Sequence, residues 1–404
     1  MRVKTVGIIA EYNPFHAGHA YHIRKIREEF GRDTQIVAVM SGNFPQRGGI
    51  AIADKYTRAA AAVAGGVDLV LELPFPFSGE TAPVFASAGI AILHALGAVD
   101  VLSFGSECGD CSLLSEAAAL TSANDFREAA HEASRHACLG YPAVYEALCR
   151  ESFGDRVANV LVSPNNLLGI EYIRAAKAIG AAFAFHTVQR IGAPHDSASQ
   201  NVLPSAYAIR TEIGNGRIEV ALSHLPQEVA DVYRSAAADG LFPAFDEKLS
   251  PIVLSHFCLN APHNDIDIAD AGGGLYNRLR NASFDTDTIS SLIACAMTKK
   301  FTNSRIRRSL YYSFFGVTSS SVKELPEYTQ VLALNENGRM LLKSIKKNCG
   351  ISILTKPSAT SRLSKAAIRQ KELADKADSV FQLTLPGHRS GVYDVLSKPF
   401  VKHS

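Results

Sequence analysis

The sequence has no tryptophan, only four methionines and only seven cysteines among its 404 residues. So few cysteines in a chain of this length exclude a scaffold held together by disulfides. Cys108 and Cys111 form a closely spaced pair, but a structural zinc site needs about four ligands. Cys138 and Cys149 do not supply a second such pair. We therefore interpret Cys108 and Cys111 as ordinary loop thiols and predict no metal held by protein ligands alone.

Long apolar runs are also missing. No uninterrupted apolar stretch reaches the length of a membrane span, and the first residues lead directly into a strand-like segment without the pattern of a signal peptide. We therefore predict a cytoplasmic protein that does not cross a membrane. Internal repeats and low-complexity tracts are absent as well, and 47% apolar with 20% charged residues is a globular composition.

The net charge is small, at +2, but its distribution along the chain is uneven. Residues 1–244 carry 19 basic and 25 acidic side chains, and residues 245–294 carry 3 and 7. Residues 295–404 carry 19 and 7, a balance of +12. Such asymmetry is typical of an acidic catalytic body joined to a surface for phosphates or nucleic acid, although a solvated basic tail gives the same count.

Short apolar segments alternate with helical ones in the first half of the chain. We predict strands at 6–10, 35–40, 67–73, 99–104 and 181–187, and helices at 17–30, 55–64, 83–96 and 167–179. This alternation is typical of an α/β fold with a doubly wound, Rossmann-like (HUP-type) parallel sheet. We predict one such domain over residues 1–244, with a helical insertion at about 111–152.

The pattern changes after residue 244. Residues 289–315 are predicted to be helical and basic, and short strands at 331–334 and 351–354 flank a helix at 338–347. We predict a smaller appended C-terminal domain over residues 245–404.

The strongest signal for chemistry follows the first predicted strand, where His16 and His19 flank Gly18. We predict that a helix starts here with Asn13 as its N-cap and Pro14 as its first residue. Such a helix start binds phosphate well, and histidines three apart lie on one face, where they can donate to oxygens that gain charge. Gly18 lets a ligand approach the backbone. The alternative is a pair of structural histidines beside a turn.

This segment resembles the HxGH signature of the nucleotidylyltransferase superfamily. More closely, it resembles the bacterial tRNA(Met) cytidine acetate ligase family. The resemblance extends over nearly the full length, through residues 7–19, 40–48, 54–58, 103–107, 163–169 and 298–305.

The resemblance implies an ATP-dependent ligase that activates acetate as acetyl-adenylate. The acetyl group then passes to N4 of the wobble cytidine of elongator tRNA(Met), giving N4-acetylcytidine. ATP with Mg²⁺, acetate and this tRNA are the implied substrates and partners. His16, His19 and Arg190 are the implied catalytic residues. The implied ATP contacts are Gly105, Asn165, Arg190 and the run Gly7, Ile8, Ile9, Ala10, Glu11, Tyr12, Asn13, Pro14, Phe15, His16, Ala17, Gly18, His19 and Ala20.

A second phosphate-binding element of the superfamily is a small hydroxyl residue followed by arginine at a helix start. Ser205 and Arg210 fit it, because Ser205 can cap a helix and touch a phosphate while Arg210 can fork onto β/γ oxygens. Tyr207 stands where a small hydroxyl residue is expected, which weakens the prediction for Ser205 more than for Arg210. The alternative is a routine N-cap with a surface arginine.

Three further positions follow predicted strands or open a helix. Arg190 follows a strand, and the carboxyl ends of strands are where α/β sheets bind ligands, so it is a candidate phosphate clamp. We predict that Asn165 and Asn166 open a helix, one as N-cap and one as ligand contact. Gly105 leaves bare backbone for a nucleotide, although loop geometry explains this glycine equally well.

A basic cluster in the C-terminal region is the candidate tRNA contact, and the alternative is a solvated helix face. It comprises Lys299, Lys300, Arg305, Arg307 and Arg308. Tyr311 and Tyr312 are predicted to stack on unpaired bases beside it. Asp54, Lys55 and Arg58 open another predicted helix and either face the acceptor or form a charged surface.

Two other functions stay open at this point. An adenylyl- or cytidylyltransferase acting on a small phosphorylated acceptor would share the first half but would not need the basic region. A non-catalytic RNA-binding protein with a vestigial nucleotide fold is the other, and the intact His16, Gly18 and His19 argue against it. The sequence identifies neither a general base for acetyl transfer nor Mg²⁺ ligands. A homodimer is compatible with it.

Overall fold

An eight-stranded sheet runs through the part of the chain that the computed structural model describes, namely residues 3–136, 141–191, 204–262, 267–345, 349–356, 360–361, 363–387 and 399–402. Its strands are β1 (Thr5–Ala10), β2 (Gln35–Ser41), β3 (Leu69–Leu73), β4 (Val101–Ser106), β5 (Ala184–Gln189), β6 (Tyr328–Leu334), β7 (Ser352–Leu354) and β8 (Phe400–Val401). They lie in the order β5-β4-β1-β2-β3-β6-β7, and β8 pairs with β6.

The strand order makes the sheet doubly wound. β1 pairs in parallel with β2 and β4, β2 pairs with β3, and β4 pairs with β5. The chain therefore moves outward from β1 to β3 and then returns to the other side of β1. In such sheets the ligand crevice lies outside the carboxyl ends of the strands where the order reverses, which here is between β1 and β4. The predicted Rossmann-like α/β fold is confirmed.

The central strands are apolar on both faces because helices cover each side. In β2, Ile36, Ala38 and Met40 join the core on one face, while Val37 and Val39 join the core on the other. This alternation follows from the two-residue period of a strand, and continuous apolar runs are typical of buried parallel sheets.

Helices of residues 17–238 form the two covering layers. They are α1 (Ala17–Phe30), α2 (Lys55–Ala64), α3 (Ala82–Ala95), α4 (Cys111–Leu120), α5 (Asn124–His136), α6 (Tyr141–Phe153), α7 (Asp155–Leu161), α8 (Pro164–Ala178), α9 (Ala206–Gly214), α10 (Ile218–Ser223) and α11 (Gln227–Ala238). The predicted helices at 17–30 and 55–64 agree with α1 and α2, but the predicted cap and first residue of α1, Asn13 and Pro14, lie before the helix. The helices α4 to α6 occupy the region of the predicted insertion.

The C-terminal region adds a third layer of helices with its own apolar core. They are α12 (Ser250–Leu259), α13 (Leu275–Ser283), α14 (Ile289–Ala296), α15 (Asn303–Phe315) and α17 (Lys365–Phe381). The remaining helix of this region, α16 (Glu336–Ile345), packs on the sheet, because Leu341, Leu342 and Ile345 belong to the core on one sheet face. The predicted helical run over 289–315 is two helices, because Thr302 caps a new one by accepting the N–H of Arg305. Within the described residues, none of the helices has both the length and the apolar character needed to cross a bilayer.

The sheet continues past the boundary that we predicted at residue 244. β6 pairs antiparallel with β3, and β7 and β8 both pair with β6. The strands of the C-terminal region therefore belong to the same sheet, because β6 pairs with the outer edge of β3. The strands of a freely appended domain would form a separate sheet. The division at residue 244 itself stays a prediction.

Candidate active site

The predicted site residues gather where the strand order reverses. The H-x-G-H segment follows β1, Gly105 lies near the end of β4, and Arg190 follows β5 directly. These three strands are neighbours in the sheet and run parallel, so their carboxyl ends meet at one edge. Asn165, in the first turn of α8, also lies there, because it contacts Arg190.

The helix that carries the histidines begins later than the sequence suggested. His16, not Asn13, is the N-cap of α1, and Pro14 lies outside the helix. The Nδ1 atom of His16 accepts the N–H of Gly18 at 3.0 Å, and Nδ1 of His19 accepts the N–H of His16 at 3.1 Å. This reciprocal capping arrangement replaces the asparagine cap that we predicted. The side chain of Asn13 instead accepts the N–H of Ile52 at 2.8 Å.

Capping fixes the tautomers of both histidines. A ring nitrogen that accepts a backbone N–H carries no proton, so each neutral ring has its proton on Nε2. The ring centroids of His16 and His19 are 3.9 Å apart. Burial, Arg190 and Arg210 lower the pKa of His16 to about 3. Burial, His16 and Arg190 lower the pKa of His19 well below its usual value. At neutral pH the pair is therefore two uncharged donors.

Gly18 is required by the fold itself. A Cβ at this position would lie 2.8 Å from Cε1 and 3.0 Å from Nδ1 of His16. Any side chain would therefore displace the ring that caps the helix. Gly18 serves the geometry of His16, a reason that the sequence argument about ligand approach did not include.

The other residues of the 7–20 run divide between β1, the loop after it and the start of α1. Gly7 lies within β1, where a Cβ would be 3.0 Å from side-chain atoms of Leu93 and Val99, so its role there is packing. The strand residues Ile8 and Ile9 are buried in opposite faces of the sheet. The remaining members of the run are Ala10, Glu11, Tyr12, Phe15, Ala17 and Ala20, of which Tyr12 and Phe15 are buried.

Ser205 is the N-cap residue of α9 and Arg210 lies within that helix, so the predicted cap is present, while the phosphate contacts of both residues stay predictions. Ser205 caps α9 by accepting the N–H of Ala208 at 3.2 Å. Arg210 donates from Nη1 to the carbonyl of Asn13 at 2.6 Å, which ties α9 to the loop before His16. Tyr207 is 64% exposed and does not block this arrangement.

Asn165 and Asn166 do not cap α8. Ser163 is the N-cap residue, Pro164 is the first helical residue, and no side chain of Ser163 bonds to the cap. Glu107 takes over this task, because its carboxylate accepts the N–H groups of Asn165 and Asn166 and the side-chain amide of Asn165. We had not predicted Glu107 as a site residue, although it ends the 103–107 stretch of the resemblance.

Arg190 reaches the same cluster. Its Nη1 lies 3.5 Å from Oδ1 of Asn165, at the limit of a hydrogen bond. Gly105 lies beside the Arg190 side chain, and a Cβ added there would meet its nearest atom at 3.5 Å, an ordinary contact. The fold therefore does not demand glycine at residue 105, which favours the ligand explanation for it.

The charged start of α2 is buried, so neither prediction for it was right. Arg58 is fully buried and donates to the carbonyls of Glu11, Ser41, Gly42 and Ala53. It therefore positions the loops that follow β1 and β2, and faces neither an acceptor nor solvent.

Asp54 and Lys55 are buried too. Asp54 caps α2 by accepting the N–H groups of Tyr56 and Thr57. The Nζ atom of Lys55 lies 3.0 Å from Glu72 of β3 and 2.6 Å from Asp378 of α17. This ion cluster joins three elements that lie far apart in the sequence.

The basic cluster of the C-terminal region is partly neutralised. Arg307 pairs with Asp246 and Arg308 pairs with Asp270. Arg305 and Lys300 bond to backbone carbonyls, and Lys299 is exposed.

The aromatic residues beside this cluster do not face solvent. Tyr311 and Tyr312 are 2% and 1% exposed, so the prediction that they stack on bases was wrong. They belong to the apolar core of the helical layer, because the helix that carries them packs with that face inward.

A separate concavity of about 420 Å³ lies at the amino ends of β1 and β2. It is lined by Val3, Thr5, Gln35, Leu96, Gly97, Ala98, Met340, Leu341, Ser344 and Ile345. None of these side chains titrates, so this concavity does not compete with the histidine site as a place for acid–base or phosphate chemistry.

Comparisons with known proteins agree with this geometry. The sequence matches the family described as HIGH Nucleotidyl Transferase over residues 3–391. A tRNA(Met) cytidine acetate ligase of Caldanaerobacter subterraneus is 35% identical, over 88% of this chain and 89% of that protein. The protein of the same name from Syntrophotalea carbinolica is 35% identical over 100% of both chains.

Solved structures extend the similarity to three dimensions. The apo crystal structure of Thermotoga maritima TmcAL superposes with a TM-score of 0.92 at 30% identity and covers 100% of both chains. The structure of the same protein bound with alpha-thio ATP gives a TM-score of 0.91 with the same coverage. The relatives match this chain from end to end and not in one half alone.

Proposed function

The chain belongs to the HIGH nucleotidyl transferase family, and on this premise we propose that it is an ATP-dependent tRNA(Met) cytidine acetate ligase. It activates acetate as acetyl-adenylate and transfers the acetyl group to N4 of the wobble cytidine of elongator tRNA(Met). The observation that carries the proposal is the pair of neutral, tautomer-fixed imidazoles of His16 and His19 at the reversal point of the sheet. The name of the relatives supplies the substrates.

In the first step a carboxylate oxygen of acetate attacks the α-phosphorus of ATP. The bond from that phosphorus to the bridging oxygen breaks, and pyrophosphate leaves with the electron pair. Charge develops on the phosphoryl oxygens, and the Nε2–H groups of His16 and His19 donate to them. Their donation needs no proton transfer, because the low pKa of His16, about 3, keeps the ring neutral throughout.

The arginines hold the rest of the nucleotide. Arg190 extends from the end of β5 beside Gly105 and Asn165, where it contacts phosphate in our proposal. Arg210 is anchored by one N–H to the carbonyl of Asn13, and its other N–H groups remain for the β- and γ-phosphates. The Ser205 oxygen accepts the cap bond, so its own O–H is free to donate to a phosphate.

Mg²⁺ would be bound by the nucleotide and would not be held by a set of protein ligands. Among the described residues no group of three or more His, Cys, Asp or Glu side chains is arranged to hold a metal ion. The nearest carboxylate to the histidine loop, Glu11, interacts with Arg210, Arg47 and Arg58 and accepts the N–H of Gln46. These residues do not form a magnesium site, and phosphate oxygens and water are the ligands that Mg²⁺ prefers in nucleotide sites.

In the second step the exocyclic amine of cytidine attacks the acetyl carbon, and the bond from that carbon to the phosphate oxygen breaks. AMP leaves with the electron pair, and the proton that the amine loses passes to the departing phosphate or to water. His16 is a poor base for this amine, since a conjugate acid with a pKa of about 3 holds a proton weakly at neutral pH. The histidines therefore act by hydrogen bonding in both steps.

The tRNA binds, in this proposal, along the start of α15 and the residues before it. Lys299, Lys300 and Arg305 are the better contacts, because no carboxylate of the described residues pairs with them. Arg307 and Arg308 are weaker ones, since Asp246 and Asp270 already balance their charges.

The test is to incubate the purified protein with ATP, labelled acetate and tRNA(Met), and to digest the tRNA. N4-acetylcytidine is the expected product, and acetate should stimulate ATP–pyrophosphate exchange in the absence of tRNA. ATP–pyrophosphate exchange that a small phosphorylated acceptor stimulates and acetate does not would point to an ordinary nucleotidylyltransferase. Binding of tRNA without modification, unchanged by His19→Ala, would point to a non-catalytic RNA-binding protein.

A further inference from the structure

Arg47 stands beside the nucleotide site, although neither the motifs nor the proposed mechanism uses it. It lies in the β2–α2 loop (residues 42–54), which follows the strand next to β1. The carboxylate of Glu11 accepts the N–H of Gln46 and interacts electrostatically with both Arg47 and Arg210. The loop is docked on the segment that leads to His16, because Ile52 of the loop donates its N–H to Oδ1 of Asn13 at 2.8 Å, and both Arg47 and Arg210 interact with the Glu11 carboxylate.

The backbone at Arg47 is held in an unfavourable conformation. Its φ angle is +78°, in the left-handed region that residues with a Cβ adopt rarely. Such strain persists only where the surroundings enforce it. Strained residues of this kind concentrate at ligand-binding positions. The conformation therefore fixes where the Arg47 side chain begins.

Packing on both sides of Arg47 enforces that conformation. Phe44 is 2% exposed and lies against the rings of Phe75, Tyr311, Phe315 and Phe381. On the other side, Gly48 has a φ of +73° and lies so close to α15 that a Cβ would be 2.4 Å from the backbone nitrogen of Arg308. The loop is anchored before and after Arg47.

Arg47 is exposed although the backbone on both sides of it is anchored. No hydrogen bond or ion pair between described residues uses its guanidinium, whereas Arg58 donates to four backbone carbonyls and Arg210 donates to Asn13. Arg47 and Arg210 thus share the carboxylate of Glu11, whereas the charge of Arg58 is also balanced by Asp54 and Glu72. This excess of positive charge suits a multiply charged anion.

We propose that Arg47 is a further substrate-binding residue, which together with Arg210 binds the β- and γ-phosphates of ATP and the pyrophosphate that leaves. This inference rests on the proposed function in that it takes ATP as the substrate. A polyphosphate fits the cluster because it carries more than one negative charge and leaves the α-phosphorus with His16 and His19. A phosphate of the tRNA backbone is the competing occupant, and the experiment separates the two.

The experiment compares ATP, pyrophosphate and AMP binding to the full-length protein by calorimetry. Arg47→Gly removes the guanidinium, and glycine adopts a φ of +78° without strain, so the loop should keep its shape. We expect roughly ten- to a hundred-fold weaker binding of ATP and of pyrophosphate, with AMP binding unchanged. Arg47→Lys, which retains charge but loses the fork, should fall between the two.

Arg32→Gly is the matched control, because Arg32 is an exposed loop arginine at the opposite edge of the sheet, before β2. It should bind all three ligands as the unmodified protein does. The inference would be overturned if the ratio of the ATP affinity to the AMP affinity were the same in Arg47→Gly and in the unmodified protein. Weaker tRNA binding together with unchanged pyrophosphate binding would also overturn it. Failure of the unmodified protein to bind ATP would overturn the proposed function instead.

Discussion

His16 performs two tasks that substitutions can separate. Its Nδ1 accepts the N–H of Gly18 and so caps α1, and its Nε2–H is the proposed donor to the α-phosphate. Asparagine also caps helices through a short side-chain oxygen, but it does not extend to the position of Nε2. His16→Asn should therefore keep the cap and lose the donor, whereas His16→Ala should lose both.

The magnitudes follow from these two contacts. Loss of one donor to a developing oxyanion lowers the rate about 10²–10³-fold, so both variants should lose roughly that much acetate-dependent ATP–pyrophosphate exchange. Loss of an N-cap costs about 0.5–2 kcal/mol, so only His16→Ala should lower the free energy of unfolding in urea by that amount. His94→Ala serves as the control, because His94 is an exposed histidine in the last turn of α3.

Two results would refute this reasoning. If His16→Asn keeps full exchange activity, then Nε2 does not contact the reacting phosphate. If His16→Asn and His16→Ala unfold with the same free energy while both lose activity, the cap is not a stabilising contact. In that case the tautomer argument, which depends on the cap, fails with it.

Three other perturbations test separate parts of the structure. Because burial holds the pKa of His16 at about 3 against about 6.5 in the unfolded chain, its contribution to stability is full above about pH 6.5 and declines as the pH falls toward 3. The acid decline of the unfolding free energy should be shallower in His16→Asn, and the pH profile of exchange should show no inflection near 6.5. Gly105→Ala should leave the melting temperature unchanged, since its Cβ meets nothing nearer than 3.5 Å, but should raise the KM for ATP; an unchanged KM would show that nucleotide does not pack on this backbone. Lys55→Met leaves Glu72 and Asp378 without their shared cation and should cost about 3–5 kcal/mol by urea denaturation; a cost below about 1 kcal/mol would contradict the buried ion cluster.

Local patterns were enough to predict the elements around the site. The bounds of α2 and the end of α1 follow from apolar periodicity and from the glycines that end both helices. The order of strands and helices predicted a doubly wound sheet, and that topology placed the segment after β1 at the ligand edge. Ser205 was predicted as the cap of α9 because its residue type and position carry that information locally.

The misassignment of Asn13 shows where local rules end. Asparagine followed by proline is a strong helix start in general, yet here His16 caps α1 and Asn13 bonds to Ile52 in the next loop. The choice between the two caps depends on the tertiary partner of Asn13. That partner lies 39 positions away in the chain, beyond the range of any capping pattern.

Burial of polar and aromatic residues was harder still to predict. Lys55 contacts Asp378, 323 positions later in the sequence, and β6 extends the sheet by pairing with β3, where Leu334 lies opposite Leu69. Neither contact leaves a periodic signal. The prediction for Tyr311 and Tyr312 was wrong for the same reason. The neighbouring arginines suggested an exposed face, but the tyrosines lie on the face of α15 that packs into the core.

These long-range contacts connect the two functions that the sequence seemed to keep in separate halves. The β2–α2 loop carries Arg47 toward the nucleotide, while Gly48 of the same loop lies against the backbone of α15. Asp378 of α17 binds both Lys55 and the side chain of Asn43 in this loop. The helix α15, which carries three residues of the basic cluster, and the β2–α2 loop therefore share one apolar core. In our proposal this core links the loop beside the ATP phosphates to the tRNA contacts, so we expect a change in the position of one to move the other.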